Sequence, residues 1–184
     1  VELMAGSRQQ ADGVNGGAVG LGSPHHRVGE LFREQSKLKL THVPYRGAAP
    51  AIQDVIGGQI PAMWVESATA YSFINGKKVK PIGVASAQRV STMPDVATIS
   101  EQGIKGFEGY AWQGLVVPTG TSAEFTGQLA KALQTALNST TVKARLQALG
   151  VEPLPGTPAQ MAAFSGSERD KWGRVIKQVG VRLD

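Results

Sequence analysis

The chain has no cysteine among its 184 residues. That absence excludes disulfide bonds, thiolate nucleophiles and cysteine-based zinc sites. No apolar run reaches the length of a membrane span, and no signal-peptide pattern stands at Val1. Charged residues are scarce at 18%, yet the 41% hydrophobic content is that of an ordinary globular chain and argues against wholesale disorder. Aromatics make up only 6%. The one local basic cluster, Lys77-Lys78 with Lys80, falls in a predicted turn with no aromatic platform beside it. Nucleic acid is therefore not an expected partner, although the net charge of +5 suits anionic targets over cationic ones.

Glycine is plentiful, and it concentrates in Gly16-Gly17-Ala18-Val19-Gly20-Leu21-Gly22-Ser23-Pro24-His25-His26. Glycines there free the backbone for a tight turn and a close approach to a ligand. Ser23 is a good N-cap, Pro24 suits the first helical position, and Val28, Leu31 and Phe32 follow at helical spacing. The stretch predicts a glycine turn opening onto a helix over 24–36, whose N-terminal N–H groups suit a small anion. A phosphate-binding P-loop fails because Ser23 stands where its lysine belongs, and a dinucleotide fingerprint fails because His25 stands at its third glycine.

Strand and helix signals alternate through the first half. Strands are predicted over 14–19, 38–43, 60–65 and 79–85, with Pro81 marking the last as an edge or a bulge. Helices are predicted over 24–36, 51–56 and 68–74, while Glu2-Leu3-Met4 reads as a helix tail and Gln9 to Gly13 as a connector. The alternation implies an α/β fold with a parallel or mixed sheet, which binds ligands beyond the carboxyl ends of its strands. Past Ser86 the rhythm changes. A strand over 112–117, helices from Ser122, Thr141 and Thr157-Pro158, and connecting segments give too little sheet for a separate lobe.

The three histidines invite a metal or hydrolase reading. His25 and His26 diverge by about 100° on a helix, which is poor for joint chelation. Ser23 with His25 or His26 is the alternative reading as nucleophile and base, but no Gly-x-Ser-x-Gly elbow surrounds Ser23. His42 is expected on a sheet face or in the core, and Trp172 in the core. Neither a cofactor nor a metal is expected.

The sequence resembles the Bug family, the periplasmic substrate-binding receptors of tripartite tricarboxylate transporters. The residues that carry the resemblance are Gly22-Ser23-Pro24-His25-His26 with Gly29-Glu30-Leu31-Phe32, then Thr41-His42-Val43-Pro44-Tyr45-Arg46-Gly47 followed by Pro50-Ala51. Gly57-Gly58-Gln59, Pro94-Asp95-Val96, Gly106-Phe107-Glu108, Trp112, Gly114-Leu115-Val116, Pro118 and Gly120 continue it. The resemblance implies a two-lobed α/β clamshell of the periplasmic-binding-protein (type II-like) class, with one lobe complete and the other only partly present. On that template, residues 1–110 are the second, internal lobe and residues 111–184 the return segment of the first, whose N-terminal half has no counterpart.

The function so implied is capture of a small, carboxylated metabolite in the periplasm and its delivery to a membrane permease. The family's carboxylate loops map onto Gly22-Ser23 and Tyr45-Arg46-Gly47-Ala48, with Ala48 standing where a serine is frequent. Gly47 is expected to be needed for its backbone. His25 belongs to the same expected site, Glu66 supplies a third loop, and Trp112 matches an aromatic at the lobe crossover. Self-association through an uncovered apolar face is expected as well.

Overall fold

The computed structural model describes residues 14–20 and 22–179, so the helix tail at Glu2-Leu3-Met4 and the connector from Gln9 lie outside the described residues. Three parallel strands form the sheet: β1 (Val14–Val19), β2 (Leu40–Tyr45) and β3 (Ala62–Met63), in the order β2-β1-β3. Helix α1 (Pro24–Ser36) joins β1 to β2, and α2 (Ala48–Ile56) joins β2 to β3. The first crossover runs from β1 out to β2 and the second back past β1 to β3, so right-handed connections put α1 and α2 on opposite faces. Helix α3 (Ser67–Asn75) follows β3. The sheet therefore reverses at β1, the kind of switch point that opens a crevice at the strand ends.

Register explains why β1 is central. It pairs with β2 along its whole length, from Val14 with Leu40 to Val19 with Tyr45, but with β3 only at Gly16–Ala62 and Gly17–Met63. Gly17 leaves room there for Ile60, whose Cδ1 lies 2.6 Å from where a Cβ would stand and would have to shift to admit one. On the α1 face, Val28, Leu31 and Phe32 pack with Ile99, Ile104, Phe107 and Val175. Trp64 stacks within this cluster, with its ring centroid 5.5 Å from Phe32 and 6.3 Å from Phe107. Burying such aromatic and branched side chains contributes about 1.5–3 kcal/mol each, which makes this cluster the main source of stability.

The predicted strand over 79–85 does not form. Its one ladder contact is the isolated parallel bridge Val84–Thr98, because Pro81 brings no N–H to a ladder. The strand predicted over 60–65 shrinks to two residues, with Pro61 at its entry for the same reason. The strand predicted over 112–117 is likewise absent: that segment pairs with no other strand among the described residues.

After it come α4 (Ala123–Asn138), capped by Ser122, α5 (Thr140–Ala148) and α6 (Pro158–Val179). Helix α6 returns to pack on α1, with Val175 in the core cluster and Trp172 against it, as expected for Trp172. By contrast, α4 and α5 bury no residue. Val116 is 81% exposed, Leu154 65% and Phe125 54%, apolar side chains left open to solvent among the described residues.

Candidate functional site

Each of the three strands ends in a loop that opens a helix, and all three loops lie at the carboxyl edge of the sheet. After β1, Gly20 and Gly22 take φ of 59° and 75°, the left-handed region that glycine enters without strain. Gly20 N–H donates to the Tyr45 carbonyl at 3.0 Å, binding the first loop to the end of β2. Ser23 caps α1, its Oγ accepting from His26 N–H at 3.2 Å. The His26 side chain turns back, and its Nδ1 accepts from Gly22 N–H at 3.0 Å. This reciprocal pair is a capping box in which histidine takes the place of glutamate and reaches one residue further back.

The second loop places its residues differently. Tyr45 donates its hydroxyl to Asp54 Oδ2 at 2.7 Å, and that hydrogen bond with a carboxylate raises the phenol's pKa. Arg46 is exposed and forms no ion pair among the described residues. Gly47 is the N-cap of α2 with φ −178°, ordinary extended backbone, and an added Cβ there meets nothing within 4 Å. The expectation that the backbone demands glycine at position 47 is therefore not met. No side chain caps α2, so the N–H groups of its first residues, Ala48 and Ala49, face outward without a capping partner.

In the third loop Glu66 is the N-cap of α3, and again no side chain caps the helix. None of α1, α2 and α3 carries an acidic residue in its first turn. The three helix starts thus lie along one edge of the sheet; those of α1 and α2 carry no acid at the cap or in the first turn and suit an oxyanion, whereas Glu66 stands at the start of α3. Glu66 acts on the first loop: its charge raises the pKa of His25, against a larger lowering by burial. Both ring nitrogens of His25 are buried with no hydrogen-bond partner.

His25, Glu66 and Trp112 line one cavity of about 930 Å³, whereas Gly22, Ser23, Tyr45, Arg46, Gly47 and Ala48 lie outside its lining. Trp112 packs edge-on against Phe164 of α6 at 5.3 Å, and Trp64, also in the lining, is held in the aromatic core. Ser86, Gln88 and Gln113 add polar groups that the sequence did not single out. Their signal was position: Ser86 and Gln88 follow the apolar run 79–85, where a strand-end loop belongs. The nucleophile–base alternative finds no support, because Ser23 Oγ donates to neither histidine: both ring nitrogens of His25 are without a partner, and His26 Nδ1 accepts from Gly22. Among the described residues no cluster of three or more His, Asp or Glu side chains is placed to hold a metal ion.

Comparison with known proteins adds a context. The sequence matches the tripartite tricarboxylate transporter family receptor over residues 1–181. It is 31% identical to a UPF0065 protein in the tcbD-tcbE intergenic region of Pseudomonas sp. (strain P51), an alignment covering 95% of this chain and 52% of that protein. A solved R. palustris protein with adipate is 28% identical, with a TM-score of 0.78 over 97% of this chain and 60% of the other. MatC from Rhodopseudomonas palustris with bound malate is 29% identical, with a TM-score of 0.70 over 95% of this chain and 60% of the other. The chain thus spans about half the length of that curated relative.

Proposed function

This chain belongs to the tripartite tricarboxylate transporter receptor family, and from that premise we propose that it recognises a small carboxylate in the periplasm. The observation that carries the reading is the placing of two helix starts, α1 and α2, free of acid at the cap and in the first turn, at one edge of a parallel sheet. Backbone N–H groups at such ends hold an oxyanion without a compensating side-chain cation. The solved relatives contain adipate and malate, both dicarboxylates.

In this reading Gly22, Ser23, His25, Tyr45, Arg46, Gly47, Ala48, Glu66 and Trp112 form or support one wall of the site. Ser23 has a hydroxyl hydrogen to donate, since its oxygen accepts from His26. Tyr45 contributes by bracing its loop. Residues 1–110 serve as the internal ligand-binding lobe and residues 111–184 as part of the other. The ligand then passes to a membrane permease. No catalytic step belongs to this role.

Equilibrium dialysis of labelled malate and adipate against the chain, with a neutral diol of equal length as control, tests the proposal. Because this chain supplies one wall, affinity is expected in the millimolar range, roughly −4 kcal/mol. Retention of the diacids over the diol supports the reading. Equal retention of all three, or of none, contradicts it.

A further inference from the structure

We propose that His26 is a positioning residue, holding the glycine turn after β1 through its unprotonated Nδ1 and releasing the turn when it takes up a proton. The geometry is direct. His26 is only 5% exposed, and its Nδ1 accepts from Gly22 N–H at 3.0 Å. An imidazolium has a hydrogen on both nitrogens and no lone pair to offer. Protonation therefore places two donors face to face and ends this bond. Gly22 sits at φ 75°, and among the described residues its N–H has no other acceptor to take over.

The rest of the cluster sets the tautomer and the sensitivity. With Nδ1 accepting, the hydrogen is on Nε2, which faces Glu30 Oε1 at 3.7 Å. Glu30 is itself paired with Arg33 on the same helix. From β2, His42 lies against His26 with ring centroids 4.3 Å apart, and its Nε2 is buried without a partner. The groups facing His26 are thus Glu30 and Arg33 from α1 and His42 from β2. Burial lowers the pKa of both histidines, Glu30 opposes that in each, and a charge on either disfavours a charge on the other. The turn is consequently set at neutral pH and loosened in acid. The consequence for a ligand rests on the proposed function, but the state of the turn does not.

The test is made on the turn itself. In the ¹⁵N-labelled chain, imidazole nitrogen shifts and the Gly22 amide are followed from neutral into acid pH, with the amides of Ile99 and Phe107 as reference. Expected at neutral pH is a protonated Nε2 and an unprotonated Nδ1 on His26. On acidification the Gly22 amide should move with the His26 midpoint, below 6.5. Its exchange protection, corrected for intrinsic pH dependence, should fall about tenfold while the reference amides hold. His26→Asn, which offers an oxygen acceptor that does not titrate, should keep Gly22 protected throughout. His26→Leu should leave it unprotected throughout. A proton on Nδ1 at neutral pH overturns the proposal. So does a Gly22 midpoint that follows His42, a wild-type response in His26→Asn, or loss of protection only together with the reference amides.

Discussion

Tyr45 at the end of β2 donates its hydroxyl to Asp54 of α2 at 2.7 Å, a strut that spans the loop carrying Arg46 and Gly47. The strand end and the helix are thereby fixed to each other, and the open start of α2 is held at the sheet edge. A strut and a ligand donor make different demands. Tyr45→Phe should lower the urea midpoint of unfolding. Unchanged stability would show that the hydroxyl serves something other than the strut.

Ser23 has a cap to make and, in the proposed function, an acid to meet. Ser23→Asp keeps a good capping oxygen for His26 N–H but puts a negative charge at the rim. Its stability should stay within about 0.5 kcal/mol of wild type, while dicarboxylate retention is lost. Ser23→Ala, in contrast, should cost about 1 kcal/mol of stability. Diacid binding that survives Ser23→Asp would remove the first loop from the site.

His25, His26 and His42 all have pKa values lowered from 6.5, chiefly by burial. Between those lowered values and 6.5 the unfolded chain binds more protons than the folded one, so stability rises with pH across that window. Stability should therefore be full above 6.5 and fall as pH drops through 6.5 toward the native values. Denaturation midpoints at stepwise pH check this. A midpoint that is flat or rises on acidification through that window contradicts the buried neutral histidines.

Val116, Phe125 and Leu154 are large apolar side chains left exposed in the segment that carries α4 and α5. Surfaces of that kind drive association. Sedimentation velocity should show a mass that rises with concentration, and the double variant Val116→Lys, Phe125→Glu should reduce it without a loss of helical signal. A wild-type chain that stays monomeric at high concentration would contradict this.

Much of the sheet-bearing half could be read in the sequence because its signals are local. Ser23 and Pro24 set the start of α1, and the predicted bounds of β1 and α1 match those observed. Where a partner decides, the sequence misled. Residues 112–117 have the apolar composition of a strand, but a strand needs a neighbour, and none pairs with them among the described residues. The run 79–85 has the right composition, yet Pro81 limits it to the bridge at Val84. His25 and His26 looked interchangeable. Their roles separate only in three dimensions, where one turns back to Gly22 and the other meets the field of Glu66. A signal was present, since Ser23 followed three residues on by His26 has capping-box spacing with an unusual partner.

In the proposed function, the strand-end loops hold one carboxylate together. Titrating adipate into the ¹⁵N-labelled chain while recording amide shifts tests it most directly, with hexane-1,6-diol as the neutral control. The predicted result is that the amides of Ser23, His25, Ala48, Ala49 and Ser67 move along one saturable curve with a millimolar midpoint, and that the diol moves none of them. Shifts confined to the basic turn at Lys77-Lys78, or equal shifts with the diol, would contradict the account.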